Sequence, residues 1–161
     1  MAVHTKLSKN ELLEILSKYK IGELVSFEGI TEGIENTNYI VKTTKNRFIL
    51  TVFEDRINYN SIPFYIKIMK NSSEEGINCP VAIKDIAGNY TNKLKKKEFG
   101  IFTFISGKSK KIFSEENCYD IGKVMASFHQ ANKNFDEKQP NNYSLSFWNS
   151  LFEDCKSFVN N

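Results

Sequence analysis

The chain has 161 residues, 40% of them apolar and 25% charged, which excludes a disordered or collagen-like polypeptide. That length allows one domain, or one small domain and part of another. The net charge is +3, and only Arg47 and Arg56 among the 22 basic residues are Arg; scattered Lys serves solubility, so no nucleic-acid partner is expected.

Ser8-Lys9-Asn10-Glu11 has the form of a capping box and predicts a helix over 9–19. Leu12, Leu13, Ile15, Leu16 and Tyr19 follow at helical spacing, with Gly22 as the stop. Residues 24–30 read as a strand, 31–38 as a polar turn, and 39–44 as a second strand of β-branched and aromatic residues. Lys45-Asn46 is a short turn, and 47–53 is a third strand, so an antiparallel meander is expected. Ser61 is placed to cap a second helix with Pro63 in its first turn, and Gly76 to end it. Cys79-Pro80 requires extended backbone. Residues 81–86 and 90–94 read as a hairpin about Ala87-Gly88-Asn89. Lys95-Lys96-Lys97-Glu98 is a charged turn, and 99–105 a strongly apolar strand broken by Ser106-Gly107. Two amphipathic helices follow, over 115–132 and 146–159, with a polar loop over 132–142 between them.

Residues 1–105 therefore form a mixed α+β unit, a helix covering an antiparallel sheet, and 106–161 begin a helical unit. Cys79, Cys118 and Cys155 are widely spaced and read as reduced structural thiols. Two distant histidines, His4 and His129, do not make a transition-metal site, and His129 reads as a packed histidine within a helix. The start carries no charged segment followed by an apolar run, and no apolar stretch approaches the roughly 18 residues of a membrane span. A cytoplasmic protein without a membrane partner is expected.

A strand, a Gly-containing turn, two strands, a helix, then strands leading to a Gly-containing linker is the order of a kinase-type N-terminal lobe. In such a lobe the first turn covers ATP phosphates and the linker meets the adenine. A short turn suits phosphate because successive backbone N–H groups can converge on an anion. Here those positions are Gly33, Glu35, Asn36, Thr37 and Asn38.

The stretches SFEGITEGIENTNYIVKTTKNRFILTVFE (26–54), SIPFYIKIMKNSSEEGINCP (61–80) and FGIFTFISGK (99–108) resemble the N-terminal lobe of bacterial homoserine kinases. Those kinases are related to aminoglycoside phosphotransferases and choline kinases. GKVMASFHQANKNF (122–135) resembles the first helix of their second lobe, so the likeness extends over nearly the whole chain. The resemblance implies a protein-kinase-like N-terminal lobe and the phosphorylation of L-homoserine by ATP with Mg2+, a step of threonine biosynthesis. It also implies that 32–38 cover the phosphates and that Phe102, Thr103, Phe104 and Ile105 line the adenine pocket. Thr103 or Ile105 would offer backbone groups, and Ile30 and Ile49 apolar contacts to the base.

Two departures accompany the resemblance. Thr51 stands where kinases carry a phosphate-binding Lys, with Lys42 on the neighbouring strand as a substitute from another direction. No H-x-D-x-x-x-x-N segment is present, so the catalytic Asp is expected beyond Asn161 and no catalytic or metal-ligating residue within the chain. A stripe including Trp148, Phe152 and Phe158 is large enough to imply a missing C-terminal lobe or self-association. Two alternatives stay open: a non-catalytic kinase-like binding module, and a phosphotransferase for another small hydroxylated substrate such as choline or an aminoglycoside.

Overall fold

The computed structural model describes residues 3–141 and 144–159, without the side chain of Val159. Asn142, the last residue of the expected interhelical loop, lies outside them, as do Met1, Ala2, Asn160 and Asn161. The elements are α1 (Lys9–Ser17), β1 (Leu24–Gly29), β2 (Thr37–Thr43), β3 (Arg47–Phe53), a 3-10 turn (Tyr59–Ser61), α2 (Ile62–Glu74), β4 (Ala82–Ile83), β5 (Thr91–Leu94), β6 (Lys97–Thr103), α3 (Glu115–Ala131) and α4 (Leu145–Val159). The expected α+β architecture is present. One antiparallel sheet has the order β1-β2-β3-β6-β4, and β5 also pairs with β6.

Strand alternation divides this sheet into two faces. Tyr39, Val41, Phe48, Leu50, Val52, Phe99 and Ile101 are buried in one cluster with Leu12, Ile15 and Leu16 of α1. Asn38, Ile40, Ile49, Thr51, Phe53 and Phe102 have the opposite parity. On that second face Phe102 packs with Ile62 and Ile66 of α2 and with Ala82, and Ile49, Phe53 and Met69 lie against the same cluster.

Several local expectations change. The α1 capping box forms, with Ser8 and Glu11 bonding each other's backbone N–H, but the helix ends at Ser17 and Gly22 is not its stop. Gly22 has φ +92°, and a Cβ there would sit 2.6 Å from the Thr44 hydroxyl, so its role is close passage against the β2–β3 turn. Ser61 does not cap α2 with its side chain; its hydroxyl accepts a bond of 2.7 Å from Gln139 Nε2. The expected hairpin of 81–86 with 90–94 is absent. β4 pairs with β6 at Ile101 and Phe102, and β5 pairs with β6 over 97–100, so the two lie along one edge of the same strand. Asp85 explains the turn between them: its Oδ1 accepts from the backbone N–H groups of Ala87 (2.9 Å) and Asn89 (2.8 Å). The charged turn shrinks to Lys95-Lys96, because Leu94 pairs with Lys97 and both Lys97 and Glu98 join β6.

The N-terminal arm is tied to the sheet by polar groups. The Thr37 hydroxyl accepts from the backbone N–H of His4 (2.9 Å) and of Thr5 (3.0 Å), and donates to Glu54 Oε1 at 2.7 Å. Tyr39 Oη accepts from Leu7 N and donates to the Thr5 carbonyl. Glu54 is buried; it also accepts from the Thr5 hydroxyl and forms an ion pair with Lys97. Burial alone would raise the Glu54 pKa, but the Lys97 ammonium and the two hydroxyls outweigh it and hold the carboxyl below its ordinary range. Glu54 in turn raises the Lys97 pKa.

A depressed carboxyl stabilises the fold at neutral pH and loses that contribution as pH falls through the carboxylate range; the Lys97 contribution is lost only in alkali. Glu54→Gln is therefore expected to cost about 1–3 kcal/mol at pH 7, the scale of a lost hydrogen bond to a charged group. It should also flatten the decline in stability between pH 5 and pH 3. Urea titrations at several pH values check this, and an unchanged acid slope in the variant would remove Glu54 as its source.

Candidate functional site

The turn between β1 and β2 is held at its base and open at its tip. Ile30 N donates to the Asn38 carbonyl at 2.8 Å, closing the base. Asn36 Oδ1 accepts from Glu54 N at 3.3 Å, which joins the turn to the end of β3. Gly33 is exposed at the tip with φ +106°, a left-handed conformation with open space around it, and Glu35 is exposed nearby. Thr37 points the other way: it is fully buried and its hydroxyl is committed to the arm and Glu54.

Strand register sets two rows across the second face of the sheet. Asn38 pairs with Thr51, and Thr51 with Gly100. Ile40 pairs with Ile49, and Ile49 with Phe102. Two residues along a strand separate the rows, about 7 Å. The first row is polar, and Thr51 Oγ1 donates to Asn38 Oδ1 at 2.7 Å. The second row is apolar, with Ile40 and Ile49 half-buried. Phe102 is buried at its end, under α2 and edge-on to Phe53 at 6.4 Å, so it serves packing.

The segment after β6 is held at both ends. Thr103 N donates to the Val81 carbonyl and Thr103 Oγ1 accepts from Val81 N, both at 2.9 Å. Those groups close the sheet against β4 and are spent there. The Arg47 guanidinium lies 4.2 Å from the centre of the Phe104 ring, and its Nη2 donates to Ser106 Oγ at 3.2 Å. Among the described residues the backbone groups of Ile105 have no hydrogen-bond partner.

The structure thus brings Ile30, Asn38 and Ile49 to one side of the sheet beneath the exposed turn. Thr37 and Phe102 turn into the packed interior, and Thr103 gives up its N–H. Sequence reasoning missed Ile40, which the alternation in Thr37–Thr43 places on the row of Ile49. It also missed Arg47, whose role depends on a contact with a distant segment.

Exposed Arg56 lines a groove with Ile34 and Glu35 of the turn, whereas three lysines near the sheet are engaged or remote. Lys67 bonds Glu137 at 2.5 Å and Lys70 pairs with Glu74 at 3.6 Å. Lys42 is exposed and pairs in register with Arg47, two rows beyond Asn38. A groove of about 600 Å3 lies between the start of α2 and residues 88–91, beside the Gly100 end of the polar row, with which Thr91 pairs. Among the described residues no group of three or more His, Cys, Asp or Glu converges as a metal site. The three cysteines are free, and burial raises the Cys79 pKa. His129 is exposed, contrary to the packed position expected of it, because no described element covers that side of α3.

The helical segment touches the sheet unit through α2. Asn71 Nδ2 donates to the Ala131 carbonyl and to Asn132 Oδ1, Asn132 Nδ2 donates to the Ser72 hydroxyl, and Phe135 packs edge-on to Phe64. Beyond these contacts the apolar faces are open, with Trp148 52% and Phe152 63% exposed. Among the described residues no helix is long and apolar enough to cross a membrane.

A model of the phosphotransferase enzyme family matches residues 26–154, a span that includes both rows, the turn and the helical segment. The chain belongs to the phosphotransferase enzyme family. The chain is 38% identical over 157 residues to a homoserine kinase of Methylobacterium radiotolerans, covering 98% of the chain and 49% of that protein. It is 37% identical over 157 residues to a homoserine kinase of Bradyrhizobium diazoefficiens, covering 98% of the chain and 48% of the relative. The chain therefore spans about half the length of the curated relatives it matches. Among solved structures, a spectinomycin phosphotransferase in complex with ADP and spectinomycin superposes with a TM-score of 0.61 at 12% identity. That match covers 95% of this chain and 55% of the other, and it shows a common fold.

Arg47→Ala should free the segment 104–106 at small cost to the fold, about 0.5–1 kcal/mol for an exposed cation–π contact. Amide hydrogen exchange at Phe104, Ile105 and Ser106 should quicken while β3 and β6 stay protected. Unaltered exchange there would show that the clamp does not hold the linker.

Proposed function

We propose that this phosphotransferase is the nucleotide-facing half of a homoserine kinase, which transfers the γ-phosphoryl group of ATP to the hydroxyl of L-homoserine. The observation that carries the reading is the likeness to homoserine kinases along 157 of the 161 residues. The geometry is compatible with a nucleotide: an apolar row for a base beside a polar row, beneath an exposed Gly-containing turn, with an uncommitted backbone at Ile105. The sheet unit, 1–105, would hold the nucleotide, and 106–161 would begin the lobe that binds the alcohol. Gly33, Glu35, Asn36 and Asn38 would face the phosphates. Ile30, Ile40, Ile49, Phe104 and Ile105 would face the base.

When bound, Mg2+ would neutralise charge on the phosphates. The described residues offer no cluster of acids for it, so its ligands and the catalytic Asp are assigned to the part of the relatives that this chain does not span. The open apolar faces of α3 and α4 fit burial against that part. The product O-phosphohomoserine would serve threonine biosynthesis, in the cytoplasm.

The same open faces favour one second reading, a kinase-like lobe that docks on another chain without catalysis. Both are tested with the 161-residue chain, ATP, Mg2+ and L-homoserine. The first reading expects weak nucleotide binding, seen as a rise in melting temperature with ATP, and no turnover. Steady release of ADP dependent on homoserine would overturn the assignment of the catalytic Asp outside the chain. A stable complex through Trp148 and Phe152, with no thermal response to nucleotide, would favour the docking module.

A further inference from the structure

Thr51 occupies the strand position at which kinases hold a phosphate with Lys, and its side chain carries no charge. We propose that the side-chain amide of Asn38, held in place by Thr51, supplies the phosphate contact instead, as a neutral donor on the floor of the site. The inference rests on the nucleotide reading above and names the group within that site that meets the phosphate.

Thr51 Oγ1 spends its only proton on Asn38 Oδ1, at 2.7 Å. That bond fixes which end of the amide faces Thr51 and leaves the two N–H groups of Asn38 Nδ2 directed elsewhere. Among the described residues Nδ2 has no hydrogen-bond partner. No buried side-chain nitrogen or oxygen of the described residues lacks a partner, so this nitrogen reaches solvent although its residue is half-buried. An amide donor that is oriented, accessible and unspent suits an acceptor brought by a ligand.

Its place suits a phosphate in particular. The apolar pair Ile40 and Ile49 lies one row away, about 7 Å along the strands, so a base on that row would send its phosphates toward Asn38. Gly100 follows Thr51 in register, but the Phe102 ring and the Tyr90 carbonyl lie 3.1–3.3 Å from where its Cβ would be, so that end of the polar row is covered and the row is open at Asn38. The Ile30–Asn38 backbone bond places Asn38 directly at the foot of the exposed turn. Exposed Arg56 lines a groove with Ile34 and Glu35 of the turn, but that groove includes neither Asn38 nor Thr51. Lys97 is paired with Glu54, Lys67 with Glu137 and Lys70 with Glu74, and Lys42 lies two rows off.

The test uses the 161-residue chain labelled with 15N, titrated with ADP and, separately, with adenosine. ADP should move the Asn38 side-chain amide resonances together with the backbone amides of Ile30 and Ile49. Adenosine should move only the latter pair. Asn38→Asp keeps the acceptor for Thr51 and removes the donor. It should weaken ADP by at least about tenfold, through the lost hydrogen bond to a charged group and the repulsion of the added carboxylate, and leave adenosine within about twofold. Thr51→Val, which frees the amide to rotate, should weaken ADP by a smaller factor. If ADP moves Ile30 and Ile49 but not the Asn38 amide in the unaltered protein, the nucleotide reading stands and this inference falls. If neither ligand moves any of these signals, both fall together.

Discussion

The Glu54 carboxylate is the joint on which the arrangement turns. It lies just past the end of β3, where four segments meet: the N-terminal arm through Thr5, β2 through Thr37, β6 through Lys97, and the β1–β2 turn through the bond from Glu54 N to Asn36. A buried carboxylate is costly unless each oxygen is matched by donors, and here two hydroxyls and an ammonium supply them. Because those donors come from separate stretches of chain, satisfying one charge fixes the relative positions of all of them. The exposed turn, with Gly33 at its tip, is thereby attached to a fixed base.

The sheet keeps its two tasks apart by parity. Odd-numbered residues of β2 and even-numbered residues of β3 face the α1 cluster, where burial is nearly complete. Their neighbours face the other way, only partly covered by α2. Hydrophobic stabilisation is concentrated on the first face, so the second can carry half-buried isoleucines and a polar pair without loss of the fold. A slip of one residue in register would exchange the faces and abolish both core and site.

Much of this was legible in the residues. The Arg47–Phe53 strand was placed without error, and the alternation of β2 is plain in Thr-Asn-Tyr-Ile-Val-Lys-Thr. The capping box of α1 and the helical periods of α3 and α4 were also read correctly, because those signals are local. What escaped depends on distant partners. Nothing local to Ser61 announces that its hydroxyl will meet Gln139, and nothing in 81–94 says that β4 and β5 prefer the edge of β6 to each other. Thr37 read as a turn residue near a ligand, yet the alternation that buries Tyr39 buries Thr37 too. Arg47 looked like an ordinary strand cation until Phe104 and Ser106 were seen against it.

The pairing of β3 with β6 bears on how the chain acquires this shape. β1, β2 and β3 follow one another through short turns and can zip together from local encounters. β6 comes after α2 and two further strands, so its docking must close a long loop, the slower and entropically costlier step. The bond between Lys97 and Glu54 forms only at that closure. The Thr5 and Thr37 hydroxyls can hold the Glu54 carboxylate beforehand, so what the far strand adds on arrival is the neutralising charge.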